Sequence, residues 1–171
     1  LHQGWSSLCT VMTNLGVEHA FQELGIPFFR ASVGDRNVIE LMKEKNCKFG
    51  GESSGHIVCS DLNTTGDGII SSLQVVAAIV KSGVTLSSLV SSIKKVPQHL
   101  VNVRVSKSFD FEHKTIKQAI LESEKKLKSK GRLLVRPSGT EPVIRIMAES
   151  PDEAMVVTEI NKLSEIIKNH N

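Results

Sequence analysis

Apolar residues at Val17, Ala20, Phe21 and Leu24 recur at i, i+3, i+4 and i+7, which predicts a helix with one apolar face. Asn14 is placed to cap it and Gly25 to end it. Residues 6–12 before it and 27–32 after it read as strands. Asp35 can cap a second helix with the apolar stripe Val38, Ile39, Leu41 and Met42, finished by Asn46. Residues 48–60 read as a short strand, a polar loop and the strand Ile57-Val58-Cys59. Asp67 starts a helix through Lys81 that is apolar almost all round, so it is expected to be buried, and Gly83 stops it. Thr85 can cap a shorter helix through Lys95, with Leu86, Leu89, Val90 and Ile93 inward.

The pattern changes at Val96-Pro97, where proline resists continuing a helix; the predicted domains are 1–96 and 97–171. Val101, Val103 and Val105 alternate with Asn102, Arg104 and Ser106, the period of a half-buried strand. A helix follows with Ile116, Ala119, Ile120 and Leu127 on one face, then Gly131 and the strand-like runs 133–135 and 143–147. The last helix carries Val156, Ile160, Leu163 and Ile167. The expected fold is a three-layer α/β domain followed by a small α+β domain, its antiparallel sheet covered by two helices.

Composition narrows the function classes. The 171 residues are 40% hydrophobic and 23% charged, the profile of a soluble globular protein, and the first residue is not Met, which suggests a fragment. The net charge of +3 is modest, Lys and Arg are scattered, and one Trp with no Tyr leaves no stacking platform for bases, so no nucleic-acid partner is expected. The longest strongly apolar run, residues 75–80, is far too short to span a bilayer. Cys9, Cys47 and Cys59 lack metal or redox spacing and read as buried or free thiols of a reducing compartment; a cytoplasmic location is expected, with no membrane association.

Two loops concentrate the candidate chemistry. Arg136-Pro137-Ser138-Gly139-Thr140-Glu141-Pro142 lies between two strand-like runs, so a tight turn there can offer the backbone N–H groups of Ser138, Gly139 and Thr140, two hydroxyls and a guanidinium. Consecutive backbone donors form an anion-holding concavity, and arginine matches phosphate oxygens two at a time. The same residues also suit an ordinary hairpin turn. Gly50-Gly51-Glu52-Ser53-Ser54-Gly55-His56 gathers a carboxylate, two hydroxyls and an imidazole, donors and acceptors that suit a sugar. The imidazole of His56 could move protons, though a flexible hairpin with a surface histidine fits as well. Val33-Gly34-Asp35-Arg36 could present Asp35 and Arg36 to a ligand, but Asp35 and Asp67 read as helix caps first and ligands second, and His19 as solvent-facing. No histidine pairs with Cys or carboxylate at metal spacing, so no metal ligand is expected in this chain.

Taken together, a phosphate-type loop and a hydroxyl-binding loop suggest a phosphorylated sugar held between domains. Gly51-Glu52-Ser53-Ser54-Gly55-His56 resembles the sugar-binding loop of the α-D-phosphohexomutase superfamily, and residues 136–142 followed by Arg145 resemble its C-terminal phosphate-binding loop. Residues 11–16, 33–36 and 63–68 look like its bacterial phosphoglucosamine mutase branch, whereas Ser53 stands where that branch often has a longer polar residue. The resemblance runs from about Thr10 onward.

That resemblance implies family domain 3, lacking its leading segment, followed by domain 4. Glu52 and Ser54 would bind sugar hydroxyls, and His56 would be a candidate acid or base. Arg136, Ser138, Gly139, Thr140 and Arg145 would clamp the phosphate that is not transferred. The reaction implied interconverts glucosamine 6-phosphate and glucosamine 1-phosphate, for cell-wall precursor synthesis, through a bisphosphorylated sugar. The phosphoserine and the Mg²⁺ loop would belong to N-terminal domains outside this chain, which alone should be inactive. A phosphomannomutase or phosphoglucomutase, a non-catalytic phosphosugar-binding module and a scaffold without a small ligand are the competing readings.

Overall fold

The computed structural model describes residues 6–128 and 130–171. The chain forms two compact units, the first running through Lys95 and the second beginning at Val96.

In the first unit, β1 (Ser7–Thr10), α1 (Leu15–Glu23), β2 (Phe28–Ala31), α2 (Asp35–Lys45) and β3 (Phe49–Gly51) alternate, and β4 (Ile57–Cys59) returns as a hairpin. The sheet order is β2-β1-β3-β4, with β1 parallel to both β2 and β3 and β4 antiparallel to β3. The chain leaves β1 toward β2 and then crosses back past it to β3. Right-handed crossovers in opposite directions place α1 and α2 on opposite faces, giving the three layers. Leu8, Ala31, Val38, Met42, Cys47 and Val58 form the core. Gly50 allows α2 to lie close to β3, because a Cβ there would collide with Met42 Sδ.

The caps follow the sequence in three places: Asn14 accepts from the Gly16 amide, Asp67 from Ile69 and Ile70, and Thr85 from Ser88. Asn46 ends α2 in the left-handed conformation at φ 53°. Asp35 departs from expectation: the cap of α2 is Gly34, and Asp35 is the first helical residue.

Two further expectations are corrected. α3 (Gly68–Ser82) forms where predicted but is not buried: Ser71 is its one buried residue, and Ile69 and Val80 are both 75% exposed. α3 packs on β4 and on α4 (Leu86–Leu89), so it has neighbours on only part of its apolar circumference. α4 is a single turn rather than a helix through Lys95. Beyond it the Ser91 hydroxyl bonds the Ser88 carbonyl at 2.8 Å.

In the second unit, β5 (Gln98–Arg104), α5 (Lys114–Leu127), β6 (Arg132–Pro137), β7 (Val143–Glu149) and α6 (Glu153–Asn169) follow in order. The sheet runs β5-β7-β6, antiparallel throughout. Val103, Ile144, Ile146 and Ala148 meet Ile116, Ala119 and Leu127 of α5 and Val156, Ile160, Leu163 and Ile167 of α6. Both helices thus cover one face of the sheet. Between them, buried Glu159 accepts from Ser123 Oγ and Lys126 Nζ, each at 2.7 Å.

Candidate functional site

Reversal of winding direction at β1 leaves a crevice at the carboxyl ends of the first unit's parallel strands, where open α/β sheets hold ligands. The segments leaving β1, β2 and β3 are residues 11–14, 32–34 and 52–56. Arg30 fastens the first of them, donating from Nη1 to the Thr13 carbonyl at 2.7 Å while Nη2 pairs with Glu18 at 2.8 Å.

The third segment closes on itself. The Glu52 amide donates to the His56 carbonyl at 2.9 Å, and the Gly55 amide, at φ 100°, donates to the Glu52 carbonyl at 3.1 Å. Ser54 Oγ donates to Glu52 Oε2 at 3.0 Å, and the Gly34 amide donates to Glu52 Oε1 at 2.5 Å. Both carboxylate oxygens are therefore oriented from within the unit. Gly34 makes its contact at φ 117°, a conformation that favours glycine. Asp35 Oδ1 lies 3.1 Å from His56 Nδ1. The structure places Glu52, Ser54 and His56 in one closed loop and brings Gly34 and Asp35 against it.

Asp35, Glu52 and His56 present ligand-type atoms that all lie within 4.8 Å of one another. This set does not suit Mg²⁺, which demands near-ideal octahedral oxygen coordination. Imidazole is a poor match, and hydrogen-bond donors already hold both Glu52 oxygens.

The second candidate loop joins β6 to β7. Their register places Arg136 directly opposite Arg145. Like charges facing one another across a strand pair repel. The Nε atoms of both are buried without a hydrogen-bond partner, and Arg145 has only a 3.5 Å contact with Glu141. An anion between the two guanidinium groups would relieve the repulsion and satisfy the orphaned donors. Gly139 and Thr140, in the turn that joins the two strands, are exposed.

One detail of the expected cradle is corrected. The Ser138 amide does not face outward: it donates to the Val143 carbonyl at 2.9 Å, closing the hairpin. Ser138 therefore offers its hydroxyl, which lies 3.5 Å from the Thr140 amide.

Sequence reasoning missed the Arg136–Arg145 pairing as a pair, although counting residues outward from the Ser138–Val143 closure yields it. It also missed Gly34. Its signal was a glycine just ahead of a helix, without any marker for the carboxylate its amide would meet.

Residues 3–96 match the family described as phosphoglucomutase/phosphomannomutase, alpha/beta/alpha domain III, and residues 100–162 match the C-terminal domain of that family. The chain belongs to the phosphoglucomutase/phosphomannomutase family. Its match begins at residue 3, earlier than the expected start near Thr10. Within this family, the phosphoglucosamine mutase of Hahella chejuensis is 54% identical over 160 residues, covering 93% of this chain and 36% of that protein. That of Erwinia tasmaniensis is 49% identical over 160 residues, with the same coverage of 93% and 36%. The chain thus spans about a third of the length of these curated relatives. Among solved structures, N-acetylphosphoglucosamine mutase of Aspergillus fumigatus aligns over 98% of this chain and 39% of its own, with a TM-score of 0.79 at 19% identity. The same fungal enzyme in complex with GlcNAc-6P and magnesium gives a TM-score of 0.76 at 19% identity, covering 95% and 41%. These likenesses show the phosphohexomutase fold of domain III and the C-terminal domain.

Proposed function

We propose that this chain is the substrate-binding half of a phosphoglucosamine mutase, which interconverts glucosamine 6-phosphate and glucosamine 1-phosphate through a bisphosphorylated sugar. The observation that carries this reading is the facing pair Arg136–Arg145, with both Nε atoms buried and unpartnered, on the strands that flank a loop exposing Gly139 and Thr140.

In this reading Arg136 and Arg145 hold the phosphate that is not transferred, assisted by the Ser138 and Thr140 hydroxyls and the amides of Gly139 and Thr140. Glu52 and Ser54 accept and donate to sugar hydroxyls and so fix the ring, and His56 is the acid or base beside the reacting oxygen. A clamp of backbone donors and guanidinium forks binds phosphate without reading the sugar. It suits an intermediate that must present either phosphate to the same clamp. The phosphoserine and Mg²⁺ belong, in this proposal, to the part of the relatives that this chain does not span, and the chain alone does not turn over substrate. That part also supplies a cover for α3, where Ile69, Leu73, Val76 and Val80 form an exposed stripe at helical spacing. No helix among the described residues is long and apolar enough to cross a membrane, which fits the cytoplasmic location we propose.

Calorimetric titration with glucosamine 6-phosphate tests the clamp. Arg136→Ala should weaken binding by about 1.5–3 kcal/mol, the range for hydrogen bonds to a charged group. An unchanged dissociation constant would remove Arg136 from the site.

A further inference from the structure

We propose that Asp35 is a positioning residue for His56: it accepts the imidazole Nδ1–H and so leaves Nε2 as the nitrogen free to exchange a proton. The role in catalysis rests on the mutase reading above; the tautomer itself does not.

Four observations carry this. Asp35 does not cap α2, since Gly34 occupies the cap position. Its carboxylate oxygen instead lies 3.1 Å from His56 Nδ1. The neighbouring cation does not compete for it, because Arg36 is turned to Glu40 at 2.8 Å. The backbone on both sides of the contact is fixed: the Gly34 amide is bonded to Glu52, and the His56 carbonyl accepts from the Glu52 amide. Backbone anchoring leaves the rotation of the imidazole about its own bonds undetermined, and the ring is 62% exposed, so packing does not fix it either.

A carboxylate has only acceptor sites, so a ring nitrogen that bonds to it carries the hydrogen. In a neutral imidazole the other nitrogen then holds the lone pair. Hydrogen bonding at one nitrogen sets tautomer and ring direction together, as outer partners do for metal-bound histidines. Here the pair is open to solvent and at ion-pair distance without the alignment of a hydrogen bond, and catalytic contacts of this kind often align only once substrate is bound. A histidine placed in this way can accept a proton at Nε2 without rearranging. When it does, the Asp35 carboxylate stays on the far side of the ring and balances the positive charge.

The test is the ring-nitrogen NMR spectrum of the 15N-labelled chain, recorded where the imidazoles are neutral. His56 in the wild-type chain should be chiefly protonated at Nδ1, unlike free neutral histidine, which favours Nε2–H. In Asp35→Ala, His56 should revert to chiefly Nε2–H, while the other five histidines keep their wild-type pattern. A wild-type His56 already protonated chiefly at Nε2 would overturn the proposal, and so would a tautomer that Asp35→Ala leaves unchanged. The wild-type spectrum decides by itself should the variant fail to fold. Neither measurement uses a sugar, so a failure here is separate from a failure of the phosphosugar reading.

Discussion

At the scale of single residues, the first unit depends on positions whose backbone makes the contact. Gly34 offers its amide to Glu52 at φ 117°, and only glycine reaches that conformation without strain. Gly34→Ala should cost about 1–3 kcal/mol, the range for a residue forced into a sparsely populated conformation. The loss should appear as faster hydrogen exchange in α2 together with a displaced Glu52 amide resonance. Unchanged exchange in α2 would show that the φ value at Gly34 is dispensable. The chemistry of this site was largely legible from side-chain types: Glu52, Ser54 and His56 are neighbours in sequence and remain neighbours in space. The Gly34 contact was not legible, and Asp35 was read as a cap ahead of a ligand contact, because their partners lie 18 and 21 residues away in another loop, and only the strand order brings β2 and β3 to the same end of the sheet.

At the scale of elements, hydrophobic period predicted α1, α2, α3, α5 and α6 and the strands of both units, since each of these carries a repeat that one packed face requires. It failed where the repeat has no partner. α3 is apolar on nearly every side but, among the described residues, packs mainly on β4 and α4, and periodicity cannot say how many neighbours a helix will have. α4 ends after one turn although its apolar residues recur at helical spacing. In the second unit, the α5–α6 contact rests on a charge that sequence reasoning did not single out. Burial pushes the Glu159 carboxyl upward, but hydrogen bonds from Lys126 and Ser123, with the charges of Lys126 and Lys162, outweigh it and leave the group below the usual carboxylate range. A depressed carboxylate stabilises the fold fully above its unfolded value of about 4.3 and loses that contribution as the pH falls through its folded value. Glu159→Gln should therefore destabilise the second unit by about 1–3 kcal/mol at neutral pH, and by progressively less in acid. Urea melts followed by a probe in α6 would show the two proteins converging below pH 4.3 or so. A constant difference across that range would mean the carboxylate charge contributes nothing.

At the scale of the whole molecule, each unit carries one of the two candidate loops. The first holds an oriented carboxylate and hydroxyl, proposed above to bind sugar hydroxyls, at the switch point of its parallel strands; the second holds a facing pair of arginines on the strands that flank an exposed turn. Neither unit alone would identify a phosphorylated sugar, because oriented carboxylates and paired arginines each occur for other reasons. Their presence on one chain of this family is what makes a phosphosugar the best-supported ligand. The most direct measurement is an amide NMR titration of the chain with glucosamine 6-phosphate, repeated with inorganic phosphate. The account predicts shifts at Gly139 and Thr140 with both ligands, and at Glu52 and Ser54 with the phosphosugar alone. Glucosamine 6-phosphate at millimolar concentration that leaves Gly139 and Thr140 unmoved would contradict it.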